Sequence, residues 1–419
     1  MPFQYAKTLS CAIISNMKLI IVFFNYTAIV LLSLFLLYGP LRRALDPKRK
    51  KPALTIIIMI LVTAAFTLPA IGAILPDGER CYFFQRWGNV WLGYVLYFFG
   101  PLLVIRLFTG LFINLPYRHK HKRRKNRNWK PSRKLSVSLV LGLLLLSVGL
   151  NIWGNYAAHH IKVTRYLVDK KQLKQEQPAK IILIGDLHIG VNSTLKIYED
   201  MVERINTQKP DLVVVAGDIV TSAFGVMEDP DAYAKVLSQI QSTYGTYVVY
   251  GNHDVDEPLF GGFTYMGAEN AERNPGMEPF LEKCGWKLLT DEVARIPELN
   301  NLAIVGRRDK TRPGDGVKER ATLKALTEGI EPEAPVLLLE HEPAELERLD
   351  SFDIDMMVAG HTHDGQVFPG NVYGRIHDPQ SYGIKEWGNT TAIVTSGVGC
   401  YGPPIRVGTI SEIVVIDLK

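Results

Sequence analysis

Residues 180–188 read KIILIGDLH, in which a short apolar run ends in glycine and is followed by Asp186 and His188. The same pattern recurs in Leu212–Gly217 and in Tyr247–Gly251, which also end in glycine and lead into polar residues. Each run is short and rich in β-branched residues, as buried strands are. We therefore predict three strands with polar residues at their carboxyl ends.

The segments between these strands have a helical pattern. Thr194–Thr207 and Asp231–Ser242 carry apolar residues at helical spacing and have Asp, Glu or Thr near their starts. This alternation predicts a largely parallel sheet with helices on its faces. Later apolar runs have short helices or none between them, which predicts a second sheet. These runs are Asn301–Val305, Pro335–Leu339, Asp355–Val358, Ala392–Thr395 and Ile410–Ile416.

Nearly all the unusual chemistry of this half follows five predicted strands. Ligands of open α/β sheets bind at the carboxyl ends of the strands, so these residues are expected to meet at one edge. A single Asp-x-His or His-x-His carries little weight, but five of the six histidines after residue 179 fall at such positions. The candidate site residues are Asp186, His188, Asp218, Asn252, His253, Asp254, His341, His361 and His363.

These residue types bind metals. Carboxylate oxygen, amide oxygen and imidazole nitrogen without sulfur suit Mn²⁺, Fe or Zn²⁺, and we expect manganese. Seven such ligands are too many for one tetrahedral metal ion and enough for two that share a ligand. Asp218, a short side chain at a rigid strand end, is the expected bridge.

The charge of the chain is divided unevenly. Residues 1–168 hold 23 Lys or Arg and 3 Asp or Glu, whereas residues 169–419 hold 24 and 39. The basic half is also the apolar half, which favours helices in a lipid bilayer over a nucleic-acid-binding domain. The net charge of −15 in the second half likewise disfavours nucleic acid as a substrate.

Four apolar runs in the first half are each near the ~20 residues that a helix needs to cross a bilayer. Lys and Arg lie between the first two runs, and ten more fall within Arg118–Lys134. Because basic loops stay in the cytoplasm, both chain ends are expected on the extracytoplasmic side. The predicted helices are 19–38, 53–75, 90–113 and 135–153.

The sequence thus predicts a transmembrane region over residues 1–154, a polar juxtamembrane linker over 155–179 and an α/β domain over 180–419. Met17 followed by Lys18 has the pattern of a natural start, so residues 1–16 are expected to be poorly ordered or not made. The first apolar run lacks a cleavage site before its basic cluster, which favours retention as a span.

The ordered set Asp-x-His, Gly-Asp, Gly-Asn-His-Asp, His and Gly-His-x-His resembles the calcineurin-like metallophosphoesterases, over roughly residues 179–417. The stretch His361–Gln366, with Gly397-Val398-Gly399 and Pro404-Ile405-Arg406, is most similar to the membrane-associated bacterial phosphodiesterase branch of that family. The resemblance implies two mixed β-sheets packed face to face with helices outside, and hydrolysis of a phosphate ester.

The resemblance also implies a role for each residue. His253 would stabilise or protonate the leaving oxygen, and Asp254 would orient His253. Such an acid contributes about 10²–10⁴ in rate. Asp218 would bridge two metal ions. Asp186, His188 and His363 would hold the first ion; Asn252, His341 and His361 would hold the second.

Two departures from the family pattern matter. The branch often has glycine where this chain has Asp364, so the surroundings of His363 are expected to be more acidic. Purple acid phosphatases carry tyrosine three residues after the bridging aspartate. This chain has Thr221 there, so a coloured Fe(III)–tyrosinate centre is not expected.

The favoured function is a membrane-anchored phosphoesterase that hydrolyses a phosphodiester, or else a phosphomonoester, by in-line attack of a hydroxide held between two metal ions. An anchored site outside the cytoplasm favours a lipid- or envelope-linked substrate: a phospholipid, an isoprenoid-linked phosphate or a teichoic-type polymer. Aromatic residues within 258–286 could then face the bilayer. With the opposite topology, nucleotide-linked lipid precursors in the cytoplasm would become candidates.

Two other classes stay open. The domain could be a catalytically silent metal-binding scaffold or a regulatory module of a membrane protein, although such a role leaves His253 unexplained. A transporter or channel would need more intramembrane charge than Arg106 alone supplies. Spacing decides neither the oligomeric state nor whether Cys284 and Cys400 form a disulfide.

Overall fold

The computed structural model describes residues 2–46, 48, 52–75, 79–114, 131–169, 173, 179–221, 224, 227–257, 259–260, 263–264 and 272–418. Two compact units divide the chain. One comprises Met1–Ile152 with Phe260–Met266, and the other comprises Trp153–Leu259 with Gly267–Lys419. Apolar helices make up most of the first unit, and the second contains the sheets that carry the candidate site.

Five α-helices are found among the described residues of the N-terminal region: α1 (Pro2–Leu45), α2 (Ala53–Ile74), α3 (Glu79–Tyr94), α4 (Gly100–Phe108) and α5 (Arg133–His159). Short π-helical turns join α3 to α4 and follow α4, so that Cys81–Ile113 forms one apolar span. In the part of the chain that the structure describes, four such spans are long and apolar enough to cross a membrane, as the sequence predicts. The other three are Phe23–Leu45, Ala53–Ile74 and Arg133–His159.

The second unit begins in the last turns of α5 and continues into strands and short helices. The helices are α6 (Leu195–Gln208), α7 (Pro230–Leu237), α8 (Met277–Cys284), α9 (Leu323–Thr327) and α10 (Gly370–His377). The strands are β1 (Ile161–Val168), β2 (Ala179–Ile184), β3 (Leu212–Ala216), β4 (Thr246–Val249), β5 (Leu259–Phe260), β6 (Phe263–Thr264), β7 (Trp286–Leu288), β8 (Glu292–Ile296), β9 (Leu302–Gly306), β10 (Val336–Leu339), β11 (Met356–Ala359), β12 (Gly383–Trp387), β13 (Thr390–Val394) and β14 (Ser411–Leu418).

Two six-stranded sheets form the domain. The first has the order β1-β14-β2-β3-β4-β7 and the second β12-β13-β11-β10-β9-β8. Strands β2, β3, β4 and β7 are parallel, as are β9, β10, β11 and β13. Buried residues from both sheets, among them Val214, Leu339 and Val358, share one core. The two-sheet α/β fold predicted from the sequence is confirmed.

Helix α7 is shorter than the helix predicted over Asp231–Ser242. The side chain of Asn206 accepts from the backbone N–H of Gln241 and donates to the carbonyl of Gln239, both at 2.8 Å. These bonds occupy backbone groups that a longer helix would need for its own hydrogen bonds. The periodic pattern therefore continues past the point where the helix ends.

Strand β1 lies in the segment predicted as a polar linker. It pairs in parallel with β14 along its whole length, from Ile161 opposite Ser411 to Val168 opposite Leu418. Ile161 and Val168 are buried, while the residues between them are partly or fully exposed. Polar residues on an edge strand hide the strand pattern, because only one side of the ribbon packs on a core.

Two further expectations concern the 258–286 region and the cysteines. Cys284 and Cys400 are both free thiols. Within the 258–286 region, residues 258, 261–262 and 265–271 lie outside the described residues, and so does most of Arg118–Lys134.

Candidate metal centre

The nine predicted site residues follow five strands at their carboxyl ends. β2 leads to Asp186 and His188, and β3 leads to Asp218. The other residues follow β4 (Asn252, His253 and Asp254), β10 (His341) and β11 (His361 and His363). Because the two sheets pack face to face, these strand ends meet at one edge of the domain, as the sequence predicts.

Backbone strain is concentrated at this edge. Five of the nine residues have a positive φ between 47° and 73°, namely Asp186, His188, Asp218, His361 and His363. Non-glycine residues in this region cost about 1–3 kcal/mol each and cluster at functional sites. The backbone N–H groups of Asp186 and His188 donate to the carbonyls of Gly217 and Asp218, each at 3.0 Å, which fixes the strained turns against the next strand.

One group of side chains consists of Asn252, His341 and His361. The Oδ1 atom of Asn252 lies 2.9 Å from both His341 Nε2 and His361 Nδ1. The two imidazole nitrogens lie 3.2 Å apart. Ligand atoms that share a metal ion, with bonds of about 2.1 Å, lie ~3.0–3.4 Å apart. This triangle has the size of one coordination sphere.

A second group consists of Asp186, His188 and His363, all buried, with ligand atoms within 4.8 Å of one another. The Nε2 atoms of His188 and His363 are 2.9 Å apart, and His363 Nε2 is 3.8 Å from Asp186 Oδ1. Asp186 Oδ1 also accepts the backbone N–H of His361 at 2.9 Å. That bond ties the first strand end to the loop that carries both histidines of the His-x-His motif.

Asp218 lies between the two groups. Its Oδ2 is 3.6 Å from His188 Nε2 and 3.3 Å from His341 Nε2. Its Oδ1 accepts the backbone N–H of His253 at 2.8 Å, which fixes the orientation of the carboxylate. Asp186 also comes within 4.8 Å of the ligand atoms of Asp218 and His341, so both aspartates face the space between the groups.

The hydrogen bonds around these atoms leave lone pairs that face one another. His341 Nδ1 lies 2.8 Å from the carbonyl of Ala216. Nδ1 donates to that carbonyl. Although burial lowers it, the pKa of His341 is held well above its usual range by the Asp218 carboxylate beside Nε2, and a bound metal ion would take the place of the proton on Nε2. The Oδ2 atoms of Asp186 and Asp218 are buried without a hydrogen-bond partner. Unpaired acceptors of this kind are costly, and a cation satisfies all of them at once.

Burial also selects the protonation states that metals need. Burial lowers the pKa of His188 to about 3 and lowers the pKa of His363 well below its usual range, so both imidazoles are neutral and offer lone pairs. Burial raises the pKa of Asp186 to about 7, although His341 and Arg406 oppose this shift. A metal ion bound beside Asp186 would favour its anionic form. The donor set therefore fits two divalent metal ions.

Two glycines make room for the carboxylates. A Cβ atom on Gly251 would lie 2.2 Å from Asp218 Oδ1, and one on Gly360 would lie 2.6 Å from Asp186 Oδ2. Any larger residue would push a candidate ligand out of place. This requirement explains why glycine precedes the polar cluster at these strand ends.

The structure places His253 at the rim of the site. Its ring stacks on Tyr401 with centroids 4.3 Å apart and lies 5.6 Å from the ring of His188. Its Nδ1 has no hydrogen-bond partner. The orientation of His253 by Asp254 therefore does not depend on a hydrogen bond to Nδ1, and it stays a prediction. Asp254 instead accepts the backbone N–H groups of Gly251 (2.7 Å) and Val220 (3.0 Å), because two backbone donors surround its buried carboxylate.

Arg406 and Tyr401 are parts of the site that the motifs alone do not assign. Arg406 is fully buried, and its Nη2 donates to the carbonyls of Gly399 (2.6 Å) and Gly397 (3.2 Å) and lies 3.4 Å from His363 Nδ1. It thereby holds the 397–410 loop against a candidate ligand. The Pro404-Ile405-Arg406 stretch marks Arg406 in the sequence, but its distance along the chain from His363 does not predict that the two side chains meet.

Asp364 does not make the surroundings of His363 acidic. Both of its oxygens accept from Arg375, at 3.1 Å from Nε and 2.7 Å from Nη2, so the carboxylate is paired. Its φ of 50° accounts for the glycine that the branch often has there, since glycine adopts this conformation without a side-chain penalty.

An ion network lies behind His341. The carboxylate of Glu340 is fully buried and accepts from Arg307 at 3.1 Å and from Arg320 at 2.8 Å. Glu345, which is partly exposed, accepts from the same two arginines at 3.1 and 3.4 Å. The network anchors the end of β10 from which His341 extends.

Glu340→Ala is expected to lower the free energy of unfolding by about 3 kcal/mol, because it removes the fully buried carboxylate and leaves the two buried guanidinium groups only the partly exposed Glu345 as an anionic partner. Thermal unfolding of the full chain in detergent measures the loss. Glu345→Ala is the matched control and should cost clearly less, because Glu345 is partly solvated. Equal losses from the two variants would contradict this account.

Comparison with known proteins agrees with this geometry. The profile of the calcineurin-like phosphoesterase family matches residues 179–365. An uncharacterized metallophosphoesterase of Campylobacter jejuni is 27% identical over 335 residues, which is 79% of this chain and 82% of that protein. A metallophosphoesterase of Aquifex aeolicus is 28% identical over 283 residues, 66% of this chain and 98% of that one.

A transmembrane relative has the same combination of parts. The transmembrane protein with metallophosphoesterase domain of Bos taurus is 29% identical over 294 residues, which is 69% of this chain and 64% of that protein. Together with the two-sheet fold and the candidate metal ligands, these matches show that the chain contains a calcineurin-like metallophosphoesterase domain, the domain of a metal-dependent hydrolase, preceded by four apolar helices.

Proposed function

We propose that this protein is a membrane-anchored phosphodiesterase with two divalent metal ions, manganese first among them, that acts on a lipid- or envelope-linked substrate. The observation that carries the proposal is the convergence of seven unpaired or mutually facing donor atoms at one sheet edge. A phosphomonoester is the alternative substrate, since the same ligands would serve either ester.

We assign one metal ion to each of the two ligand groups, as the family resemblance implies. Asp186, His188 and His363 hold one ion, and Asn252, His341 and His361 hold the other, with Asp218 between them. Bound there, the two ions supply an activated water nucleophile and neutralise the phosphoryl oxygens. The chain itself fixes the ligands through strained turns and buried backbone hydrogen bonds.

His253 is the residue proposed to act on the leaving oxygen. It lies beside His188 but makes no ligand contact, and its ring is held by stacking on Tyr401. A proton held at this ring would pass to the leaving alkoxide as the ester bond breaks. Asp254 acts one step further away, because it holds the backbone of the turn that carries His253.

The sequence supports a domain outside the cytoplasm. Basic residues flank the first and third spans on the side where topology rules place the cytoplasm, and an even number of spans returns the chain to the side from which it started. A lipid- or wall-linked phosphate ester is then the substrate within reach.

The proposal is tested on the full chain in detergent, stripped of metal and reloaded with Mn²⁺. A chromogenic phosphodiester and the matching monoester are supplied in parallel, and metal content is measured on the same samples. We expect hydrolysis that depends on Mn²⁺ and favours the diester. Two bound metal ions without turnover of either ester would instead support a silent scaffold, and failure to bind metal would overturn the ligand assignment.

A further inference from the structure

Helix α10 has the reverse burial pattern of an ordinary surface helix. Amphipathic helices bury their large apolar residues and expose polar ones. In α10 the buried positions are Asn371 and Gly374, whereas the large apolar side chains face outward. The apolar face of α10, with the residue just before the helix, comprises Phe368 (53% exposed), Val372 (45%), Tyr373 (65%) and Ile376 (71%).

The end of the fourth span lies in the same compact unit as this helix. Trp153 and Tyr156 are exposed near the end of α5, and such aromatic residues mark the level of the membrane interface. Gly154 and Asn155 lie at that level between them. Only His160 separates the end of α5 from β1, so the first strand of the sheet begins directly after the helix.

A short series of contacts connects this level to α10. The backbone N–H of Arg406 donates to the carbonyl of Gly154 at 2.9 Å, and Asn155 Nδ2 donates to the carbonyl of Pro404 at 3.2 Å. A Cβ atom on Gly154 would lie 2.9 Å from Val407 Cγ2. Phe368, which leads into α10, donates its backbone N–H to Val407 at 2.8 Å. Val407 thus lies against Gly154, near the end of the span, and also bonds to Phe368, the first residue of the apolar face.

The same helix contacts a residue next to a candidate metal ligand. Arg375 of α10 forms the paired hydrogen bonds to Asp364, the neighbour of the candidate ligand His363. Arg406, whose backbone contacts Gly154, has its side chain beside His363. A helix fixed at the membrane surface would thus hold the metal centre at the depth of lipid headgroups.

We propose that the apolar face of α10 inserts into the headgroup region of the bilayer that the spans cross, and that it presents the metal centre to phosphate esters of membrane lipids. Interfacial helices bury apolar and aromatic residues just below the headgroups and keep basic residues at them. Arg375 and His377 lie in the last turn of α10, so the helix carries basic residues next to its apolar face. The substrate part of this inference rests on the proposed phosphodiesterase function; the insertion of α10 does not.

Insertion is tested without any assay of activity. Ile376→Cys in the full chain is labelled with an environment-sensitive fluorophore and reconstituted into vesicles of phosphatidylcholine and phosphatidylglycerol that contain a spin-labelled lipid quencher. Glu333→Cys is the matched control, because this exposed residue precedes β10 and so lies at the sheet edge opposite the metal centre. The unmutated chain, labelled in the same way, gives the background from the native cysteines.

We expect strong quenching at position 376 and little at position 333. Equal quenching at the two positions would overturn the insertion of α10. A label at 376 that is shielded from both water-soluble and lipid quenchers would show that a protein partner covers this face, which would also overturn it.

The substrate part is tested with the triple variant Val372→Gln, Tyr373→Gln and Ile376→Gln in the same vesicles. We expect its hydrolysis of a vesicle-embedded phospholipid analogue to fall by about tenfold, equivalent to ~1.4 kcal/mol, with its hydrolysis of a soluble chromogenic diester unchanged. Equal loss on both substrates would overturn the lipid role. If the unmutated chain hydrolyses neither substrate, the proposed function fails. The quenching experiment still decides by itself whether α10 inserts into the bilayer.

Discussion

Asp218→Asn is expected to reduce hydrolysis of any phosphate ester by at least about 10³-fold, since each tenfold loss corresponds to 1.36 kcal/mol of barrier and the loss of a shared ligand removes several kcal/mol of charge stabilisation. The Oδ2 atom of Asp218 is buried between His188 and His341 at 3.6 and 3.3 Å. An amide there would be neutral and would direct either an oxygen or two protons at the proposed metal ions, so less negative charge would offset the repulsion between them.

Metal content and turnover, measured on the same preparation, check this prediction. We expect the variant to lose at least one of two manganese ions while its thermal stability stays close to that of the unmutated chain. Asp211→Asn is a suitable control, because Asp211 lies before β3 and accepts from the backbone N–H of Lys180 at 2.8 Å, far along the strand from the site. Full activity in the Asp218 variant would contradict the bridging role.

His253→Asn is expected to lower kcat by about 10²–10⁴, the range for loss of a well-placed general acid. Metal binding should be unchanged, because no ligand atom is removed. The size of the loss should depend on the leaving group: an alkyl leaving group needs a proton as it departs, whereas a nitrophenolate leaves without one. The variant should therefore lose much more activity on an alkyl diester than on a chromogenic diester.

Paired assays with the two diesters, together with metal analysis, check this second prediction. His377→Asn serves as control, since His377 is an exposed histidine in the last turn of α10. An equal loss on both diesters would argue against proton donation by His253. A loss of metal would show instead that the residue supports the ligands.

Much of the architecture follows from local sequence patterns. The runs before Asp186, Asp218 and Asn252 form β2, β3 and β4 because β-branched residues suit buried parallel strands. Their polar residues converge because parallel strands share one carboxyl edge. A pattern that ends in glycine and a ligand-type residue therefore predicts both the strand and the location of its chemistry.

Other features depend on contacts that no local pattern records. The role of Asp254 depends on two backbone N–H groups, one of them on Val220, which is 34 residues away. Arg406 reaches His363 only because the 397–410 loop folds back over the site. The alternation in β1 is disguised by polar residues, and its partner β14 lies at the opposite end of the domain sequence.

The pairing of β1 with β14 has a consequence for the order of assembly. β14 lies between β1 and β2 in the first sheet, so until residues 411–418 have been made β1 has no neighbour in the sheet and β2 has only β3. Contacts between residues so far apart in sequence form late and slowly. During synthesis the last span is therefore made before the first sheet can be completed. We expect metal ions to bind the completed domain rather than the growing chain.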